Sequence, residues 1–340
     1  MQAVELQNEF SVDSLHVVER PRPTPGAGQV LVEWDAWSLN YRDLLMVKGL
    51  YNPKLRLPFT PLSDGAGRIA EVGAGVSRVK TGDRVAGNFM QTWIDGEVTD
   101  AKAKSALGGA LPGILEEYSV LDAEGVVLIP EHLTTEEAAT LPCAAVTAWN
   151  GLITEGNIQA GNTVLIQGTG GVSLFALQFA VTRGARVIAT SSSDEKLARV
   201  REMGAAETIN YRTTPEWSSR VLELTGGQGV DHVVEVGGAG TLGQSLRAVR
   251  MGGQISLIGV LAAGVTGQFN PTPILMKGVR LQGIFVGNRV MFETMNAALA
   301  QHKVHPVIDR VFEFKDFQDS LRHLESGAHF GKIVVRRPGR

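Results

Sequence analysis

The run Gly168-Thr169-Gly170-Gly171-Val172-Ser173 carries the clearest chemical signal in this chain. It follows the apolar stretch Thr163–Gln167 and opens a segment with Val172, Phe175, Ala176, Phe179 and Ala180 at i, i+3, i+4, i+7 and i+8. That pattern reads as a buried strand, a tight turn and an amphipathic helix. Glycine at 168 permits the turn, glycine at 170 lets backbone approach a pyrophosphate, and the helix start offers N–H donors and the positive end of a dipole. The third position of the motif holds Ser173 instead of glycine, which asks only for slightly looser helix–strand packing. A second strand, Arg186–Thr190, runs into Ser191-Ser192-Ser193-Asp194-Glu195-Lys196. Dinucleotide sites for NAD usually place an acid at the end of this strand to bind the ribose hydroxyls. Hydroxyls followed by a lysine suit a 2′-phosphate instead, so the expected cofactor is NADPH. Two other roles stay open, with Ser193 a helix cap and Asp194 reaching back to a ribose.

The surrounding pattern supplies elements to position that turn. Residues up to about 128 read as short strands between turns, as in Gln29–Trp34, Gly67–Gly73 and the turn and strand Val79–Val85. Between Asn88 and Glu117 the periodicity fades into a segment of roughly thirty residues expected to be a functional or interface loop. From about 129 strands and helices alternate. Thr134 and Glu137 have capping-box spacing, and Pro142 suits the first turn of a helix. Ser193 precedes a helix bearing Leu197, Val200 and Met203, and further strands are expected over 207–210, 231–236, 254–258 and 280–286. The fold class implied is α/β, a β-rich domain joined to a doubly wound parallel sheet.

Composition removes several alternatives. With 32 basic and 35 acidic residues the net charge is −3, which gives no polycationic surface for nucleic acid or anionic lipid. No apolar run is long enough to span a membrane, and the acidic start MQAVELQNEF does not read as a signal peptide, so a cytoplasmic protein acting on a small molecule is expected. The single cysteine, Cys143, excludes an intramolecular disulfide and a multi-thiolate zinc cluster.

Ordered matches run along the whole chain: Leu39-Asn40-Tyr41-Arg42-Asp43-Leu44, Asp64-Gly65-Ala66-Gly67, Val72-Gly73, Gly82-Asp83-Arg84-Val85, Ala139-Thr140-Leu141-Pro142, Thr147-Ala148-Trp149, the glycine turn, Gly259 and Phe330-Gly331-Lys332-Ile333-Val334. Together they resemble the medium-chain dehydrogenase/reductase (alcohol dehydrogenase) superfamily, in its zinc-independent, quinone-oxidoreductase-like branch. The resemblance implies a GroES-like catalytic domain of residues 1–128 and 289–340, a Rossmann domain of residues 129–288, and a substrate cleft between them. Positions that hold catalytic zinc in metal-using relatives read Asn40, Ser63 and Cys143 here, and the segment after Gly87 lacks the four cysteines of a structural zinc site. No metal is expected.

Without a metal, a hydrogen-bond donor must stabilise the oxygen that turns negative as hydride arrives. The resemblance points to Asn40 for this, with Tyr41, Tyr51 and Asp64 as further polar candidates, Asp64 more as a brace for Arg42 than as an acid. It also implies cofactor contacts from Gly168, Gly170, Gly171 and Val172 at the pyrophosphate, and from Ser191, Ser192, Lys196 and Tyr211 at the 2′-phosphate. Thr147, Val236, Gly237, Ile258 and Gly259 are expected along the nucleosides, Phe285, Val286 and Gly287 at the carboxamide, and Lys332 at the pyrophosphate. The activity implied is NADPH-dependent reduction of a quinone or conjugated carbonyl. The alternatives are an alcohol dehydrogenase of simple alcohols and aldehydes, and an NADPH-binding protein without turnover. A homodimer is expected through the edge strand 279–286, with Leu281 and Ile284 near the two-fold axis.

Overall fold

β-Branched and aromatic residues between turns set the first seven strands: β1 (Gln2–Leu6), β2 (Leu15–Glu19), β3 (Gln29–Ser38), β4 (Asp64–Val72), β5 (Arg84–Gly87), β6 (Tyr118–Asp122) and β7 (Val126–Leu128). Six more alternate with helices: β8 (Thr163–Gln167), β9 (Arg186–Ser191), β10 (Glu207–Asn210), β11 (Val230–Glu235), β12 (Val249–Leu257) and β13 (Arg280–Gly283). The last two are β14 (Ile308–Glu313) and β15 (Lys332–Arg336). The computed structural model describes residues 1–259 and 270–338. The chain divides into two compact units, Met1–Val146 with Gly287–Arg340, and Thr147–Val286. The first unit extends past the change of pattern at 128 because the capped helix Thr135–Ala139 packs on β3, β4 and β15. Its capping box is formed as the spacing implied, with Glu137 N–H on Thr134 Oγ1 at 3.2 Å and Thr134 N–H on Glu137 Oε2 at 2.8 Å.

The sheet of the first unit runs β14-β15-β3-β4-β5-β7, with β6 also on β3. Trp34, Trp37, Leu6, Leu15 and Ile69 are fully buried in its core. Residues 88–117 are largely irregular, as expected, yet Met90, Trp93, Leu107, Ile114 and Leu115 are buried, and Trp37 donates to the Ile114 carbonyl at 2.5 Å. The segment is therefore a packed part of the core. β15 and β4 both pair antiparallel with β3, so Val334, Ser38 and Asp64 lie in one row across three strands. That register gathers the end of β3 and the starts of β4 and β15 at one place.

The second unit has the order β10-β9-β8-β11-β12-β13, every pairing parallel. In sequence terms this is 3-2-1-4-5-6, the order of a doubly wound dinucleotide fold. Helices cover such a sheet, so its central strands are largely apolar: Val164, Leu165, Ile166, Val187, Ile188, Val233 and Ile255 are buried. The helix Gly171–Thr182 buries Leu174 and Leu177 as well as Phe175, Ala176, Phe179 and Ala180 of the expected stripe, while Val172 at its start is half-buried. β13 lies at the edge but is shorter than the sequence suggested. Val286 adopts a left-handed φ of +50°, out of register with an extended strand, and its carbonyl accepts from Asn150 Nδ2 at 2.8 Å. Among the described residues, no helix is long and apolar enough to cross a membrane.

His232 on β11 is buried against Ser256, 2.9 Å from its hydroxyl, which itself donates to the Gly151 carbonyl at 2.9 Å. The serine proton is thus committed to Gly151, and His232 Nε2 is the donor. Burial, aided by the positive charge of Arg280, pushes the imidazole down to about 4. Its ordinary value lies near 6.5, so between these values the unfolded chain binds the proton more tightly than the folded one. Stability is expected to fall as pH drops from 6.5 toward 4, by up to about 1.4 kcal/mol per pH unit from this residue. His232→Gln should flatten that slope, as followed by denaturant unfolding at pH 7, 6 and 5.

Candidate functional site

In the second unit the strand order reverses between β8 and β11, and their C-terminal ends carry a buried polar network. Gln167, the last residue of β8, donates from Nε2 to Glu235 Oε2 at 2.8 Å, and Glu235 is the last residue of β11. The other oxygen of Glu235 accepts the N–H groups of Gly237 and Gly238, both at 2.9 Å, and the Thr241 hydroxyl at 2.5 Å. Ser245 and Gln167 also meet through a 2.7 Å hydrogen bond, and Ser245 donates to Glu235. Ser173 Oγ donates to the Gln167 carbonyl at 2.6 Å, which ties the first helical turn to the strand before it. Both backbone segments at the switch point are therefore fixed by one carboxyl group. The sequence reading passed over Glu235 and Gln167, although polar residues ending two apolar strands were a visible signal.

Gly168 sits at φ +70°, which explains the glycine by conformation. Gly170 is different. Its φ is −79°, and a Cβ added there would meet no atom of the chain within 4 Å. Neither backbone geometry nor internal packing asks for glycine at 170, as expected where a ligand must lie against backbone. Gly170 caps the helix Gly171–Thr182 without any side-chain hydrogen bond, so Gly171, Val172 and Ser173 present N–H groups at its positive end. At the end of β9, Ser193 caps the next helix through Lys196 N–H at 3.3 Å. Asp194 Oδ1 accepts from Asn210 Nδ2 at 2.8 Å, which occupies the acid that competed for a ribose. Ser191 is buried, with its hydroxyl near the Ser193 N–H at 3.4 Å, while Ser192 and Lys196 are half-buried and Tyr211 is exposed. Tyr211 N–H donates to the Ser191 carbonyl at 3.0 Å, bringing these residues together.

Thr147 is buried, Ile258 half-buried and Phe285 exposed. Gly237 and Gly259 are glycines for internal reasons: a Cβ on Gly237 would fall 2.3 Å from Thr241 Oγ1, and one on Gly259 1.5 Å from the Val236 carbonyl oxygen. Val286, which is β-branched, is strained by its positive φ.

In the first unit, the row of strand ends collects Asn40, Asp64, Cys143 and Lys332. Lys332 is 4% exposed and donates to the Leu39 carbonyl at 2.5 Å and to Asn40 Oδ1 at 2.6 Å. Its ammonium is turned inward, which differs from the pyrophosphate contact expected of it. Asp64 is fully buried, accepts the Ser63 hydroxyl at 2.8 Å and accepts the Cys143 N–H at 3.1 Å. Burial pushes its carboxyl up, opposed first by the Lys332 charge and then by the amide of Asn40. The brace between Asp64 and Arg42 is not formed. Arg42 donates to the Leu107 carbonyl at 3.0 Å and lies over the rings of Phe89 at 4.8 Å and Tyr51 at 5.6 Å. Lys332 takes the place next to Asp64 because β15 enters there. Tyr41 and Tyr51 are exposed, Tyr41 at the first position of the helix Tyr41–Val47.

Asp43, not singled out from the sequence, is buried and accepts the Asn40 N–H at 2.8 Å. Burial pushes its carboxyl up to about 7, against the pull of the Arg42 charge. Asn40 is 8% exposed, and its Nδ2 is buried without a hydrogen bond of good geometry, although it lies near enough to Asp64 to favour that charge.

This donor set does not suit zinc. Zinc sites use imidazole, thiolate and carboxylate ligands, and among the described residues no three of His, Cys, Asp and Glu come together to hold a metal. Packing around Cys143 and the nearby Asp64 charge push its thiol up, away from the thiolate a metal requires. Asn40 Oδ1 is already committed to an ammonium.

Comparisons with known proteins bear on both units. Residues 26–131 match the alcohol dehydrogenase GroES-like domain, and residues 171–303 match the zinc-binding dehydrogenase family. A zinc-type alcohol dehydrogenase-like protein of Schizosaccharomyces pombe is 48% identical over 314 residues, covering 91% of each chain. Quinone oxidoreductase-like protein 2 of Bos taurus is 28% identical, over 94% of this chain and 88% of its own. Among solved structures, an NAD-dependent alcohol dehydrogenase superposes with a TM-score of 0.90 at 32% identity, covering 99% of each chain. A mycobacterial protein complexed with NADPH gives a TM-score of 0.82 at 27% identity, again over 99% of each chain.

The Glu235 network allows a direct test. Glu235→Ala leaves two backbone N–H groups and three side-chain donors without their acceptor, and should destabilise the protein by roughly 3–5 kcal/mol. Glu235→Gln, which keeps one acceptor oxygen, should lose less. Denaturant midpoints of the two variants check the ordering.

Proposed function

This chain belongs to the medium-chain dehydrogenase/reductase (alcohol dehydrogenase) superfamily, and on that premise we propose that it is an NADPH-dependent, zinc-independent oxidoreductase that reduces a quinone or conjugated carbonyl compound. The observation that carries the reading is the buried cluster of Asn40, Asp64 and Lys332, whose donor set does not suit zinc. When bound, NADPH supplies the hydride. Gly168, Gly170, Gly171 and Val172 hold its pyrophosphate against the uncapped helix start, and Ser192, Lys196 and Tyr211 take the 2′-phosphate. With Asp194 held by Asn210, the end of β9 suits a phosphate better than a bare ribose diol.

As hydride reaches the acceptor, an electron pair moves onto its oxygen. Asn40 Nδ2 donates a hydrogen bond to that oxygen, which lowers the energy of the developing anion in a buried setting. One proton from solvent completes the reduction, so NADPH, a proton and the acceptor give NADP⁺ and the reduced acceptor. Tyr41 and Tyr51, both exposed, are the nearest phenols on the same segment and can bind the acceptor's polar edge.

The name of the S. pombe relative favours a second reading, oxidation of simple alcohols. That reaction needs a group that acidifies an alcohol hydroxyl, usually a metal, and the donor set described above does not suit one. The chain is further proposed to dimerise through the open edge β13, near which Leu275, Met276 and Met251 are exposed.

The activity is tested by NADPH oxidation with a panel of quinones and enones, alongside alcohols with and without added zinc. Turnover of a quinone or enone is expected. Zinc-dependent alcohol oxidation would move the assignment to the second reading, and binding of NADPH without turnover of any acceptor would leave only a binding protein. Asn40→Ala should lower kcat by about 10²- to 10³-fold. Lys196→Ala should weaken NADPH binding by roughly 10- to 150-fold and leave NADH nearly unchanged, since a charge-assisted contact contributes about 1.5–3 kcal/mol. Equal binding of both cofactors by the unaltered protein would remove the NADPH preference. In light scattering at micromolar concentration, a dimer is expected, and a monomer would contradict the edge pairing.

A further inference from the structure

β13 ends at Gly283, and shortly beyond it the chain turns at Val286, whose φ is +50°. A β-branched residue in the left-handed region is costly and persists only where its surroundings enforce it. One contact does so directly: Asn150 Nδ2 donates to the Val286 carbonyl at 2.8 Å, and both residues are buried. Asn150 is itself held in uncommon backbone. It opens a π-helical turn, Asn150–Thr154, in which its carbonyl accepts the Glu155 N–H at 2.8 Å. Such turns are rare and occur mostly at functional sites. Two unusual backbone geometries, 136 positions apart, thus meet through one hydrogen bond. The Val286 N–H, on a buried residue, has no hydrogen-bond partner among the described residues, and a buried backbone donor calls for one.

The sheet order says which part of a bound dinucleotide comes near. On the proposed reading the 2′-phosphate lies at the end of β9 and the pyrophosphate at the glycine turn after β8. β9 lies on one side of β8, and β11, β12 and β13 lie on the other. A dinucleotide bound across the switch point therefore extends its second half, the nicotinamide riboside, over the ends of β11, β12 and β13. A primary carboxamide carries both an acceptor and donors, so it can pair with backbone groups left open there. We propose that Asn150 is a positioning residue, whose hydrogen bond to the Val286 carbonyl holds this turn in the shape that receives the nicotinamide carboxamide. This rests on the reading of the second unit as the cofactor site.

The test measures binding without turnover, by titrating NADPH and 2′-phospho-ADP-ribose, which has the same adenosine and pyrophosphate but no nicotinamide. Asn150→Ala should weaken NADPH binding by about 10-fold, the effect of one or two neutral hydrogen bonds, and leave 2′-phospho-ADP-ribose within about twofold. Asn150→Asp keeps the shape but puts an acceptor in place of the donor. It should behave like Asn150→Ala near neutral pH, and it serves alone should the alanine variant fail to fold. Val286→Gly in either background should bring NADPH affinity back to within about threefold of the unaltered protein, because glycine takes a left-handed φ without being held there. Equal weakening of both ligands would overturn the proposal in favour of a general loss of structure, and unchanged NADPH binding would overturn it outright. Failure of Val286→Gly to restore affinity would remove the turn as the means by which Asn150 acts, and the proposal with it. Should the unaltered protein prefer NADH, the same comparison is made with NADH and ADP-ribose, since the nicotinamide half is common to both. An unaltered protein that binds neither dinucleotide sinks the cofactor reading itself, whereas normal binding that the Asn150 variants leave intact sinks only the positioning role.

Discussion

A carboxyl group and an ammonium are both buried where three strands of the first unit meet. Asp64 and Lys332 are both taken out of water, and removing a charge from water is expensive unless a counter-charge and hydrogen bonds replace the lost solvation. The Lys332 charge eases the burial of Asp64, which accepts from Ser63 and the Cys143 N–H, while the ammonium itself donates to Asn40 and the Leu39 carbonyl. The two residues are the first of β4 and of β15, far apart in sequence, and both strands flank β3. A one-residue slip of either strand would turn its polar residue to the other face and strip it of these hydrogen bonds. The buried polar contacts therefore add a penalty against misregister to the apolar burial that drives the sheet together.

The second unit solves a different problem with the same means. A parallel sheet covered on both faces has largely apolar strands, with the His232–Ser256 pair a polar exception inside this one and most other polar groups at strand ends. At the point where the order reverses, backbone of two loops must be held without regular pairing. Glu235 does this by accepting from two glycine N–H groups and from Gln167, Thr241 and Ser245. Rigidity beneath the glycine turn comes from a carboxyl group, while the turn itself keeps the open surface at Gly170. Preorganisation and access are thus assigned to separate residues.

The division between legible and hidden features follows the range of the interactions. Local signals read well from sequence. The Thr134–Glu137 capping box, the Ser193 cap and the glycine turn depend on residues within a few positions of each other. The parallel, doubly wound sheet followed from the alternation of strands and helices together with the resemblance of the whole chain. What escaped was long-range. Lys332 was assigned to a ligand because nothing local shows that β15 delivers it to Asn40, 292 positions away. Arg42 seemed a partner for Asp64 because both lie in neighbouring motifs, but the packing of residues 88–117 offers it the Leu107 carbonyl and the Phe89 ring. Past the end of β13, Asn150 holds the Val286 carbonyl, a contact across more than a hundred residues.

The substitution of an ammonium for a metal also bears on which reactions the first unit can support. A divalent metal binds an alcohol oxygen directly and lowers its pKa, so it can start a reaction from an unactivated hydroxyl. An ammonium cannot acidify a bound hydroxyl as a divalent metal does, and here two of its three N–H donors are taken by Leu39 and Asn40. A neutral amide stabilises an oxygen that is already becoming negative, yet it offers little to a hydroxyl that must first lose a proton. On the proposed reading, the acceptor must then bring its own electrophilicity, by conjugation or as a quinone. The preference for reduction over alcohol oxidation would thus follow from the identity of residue 40.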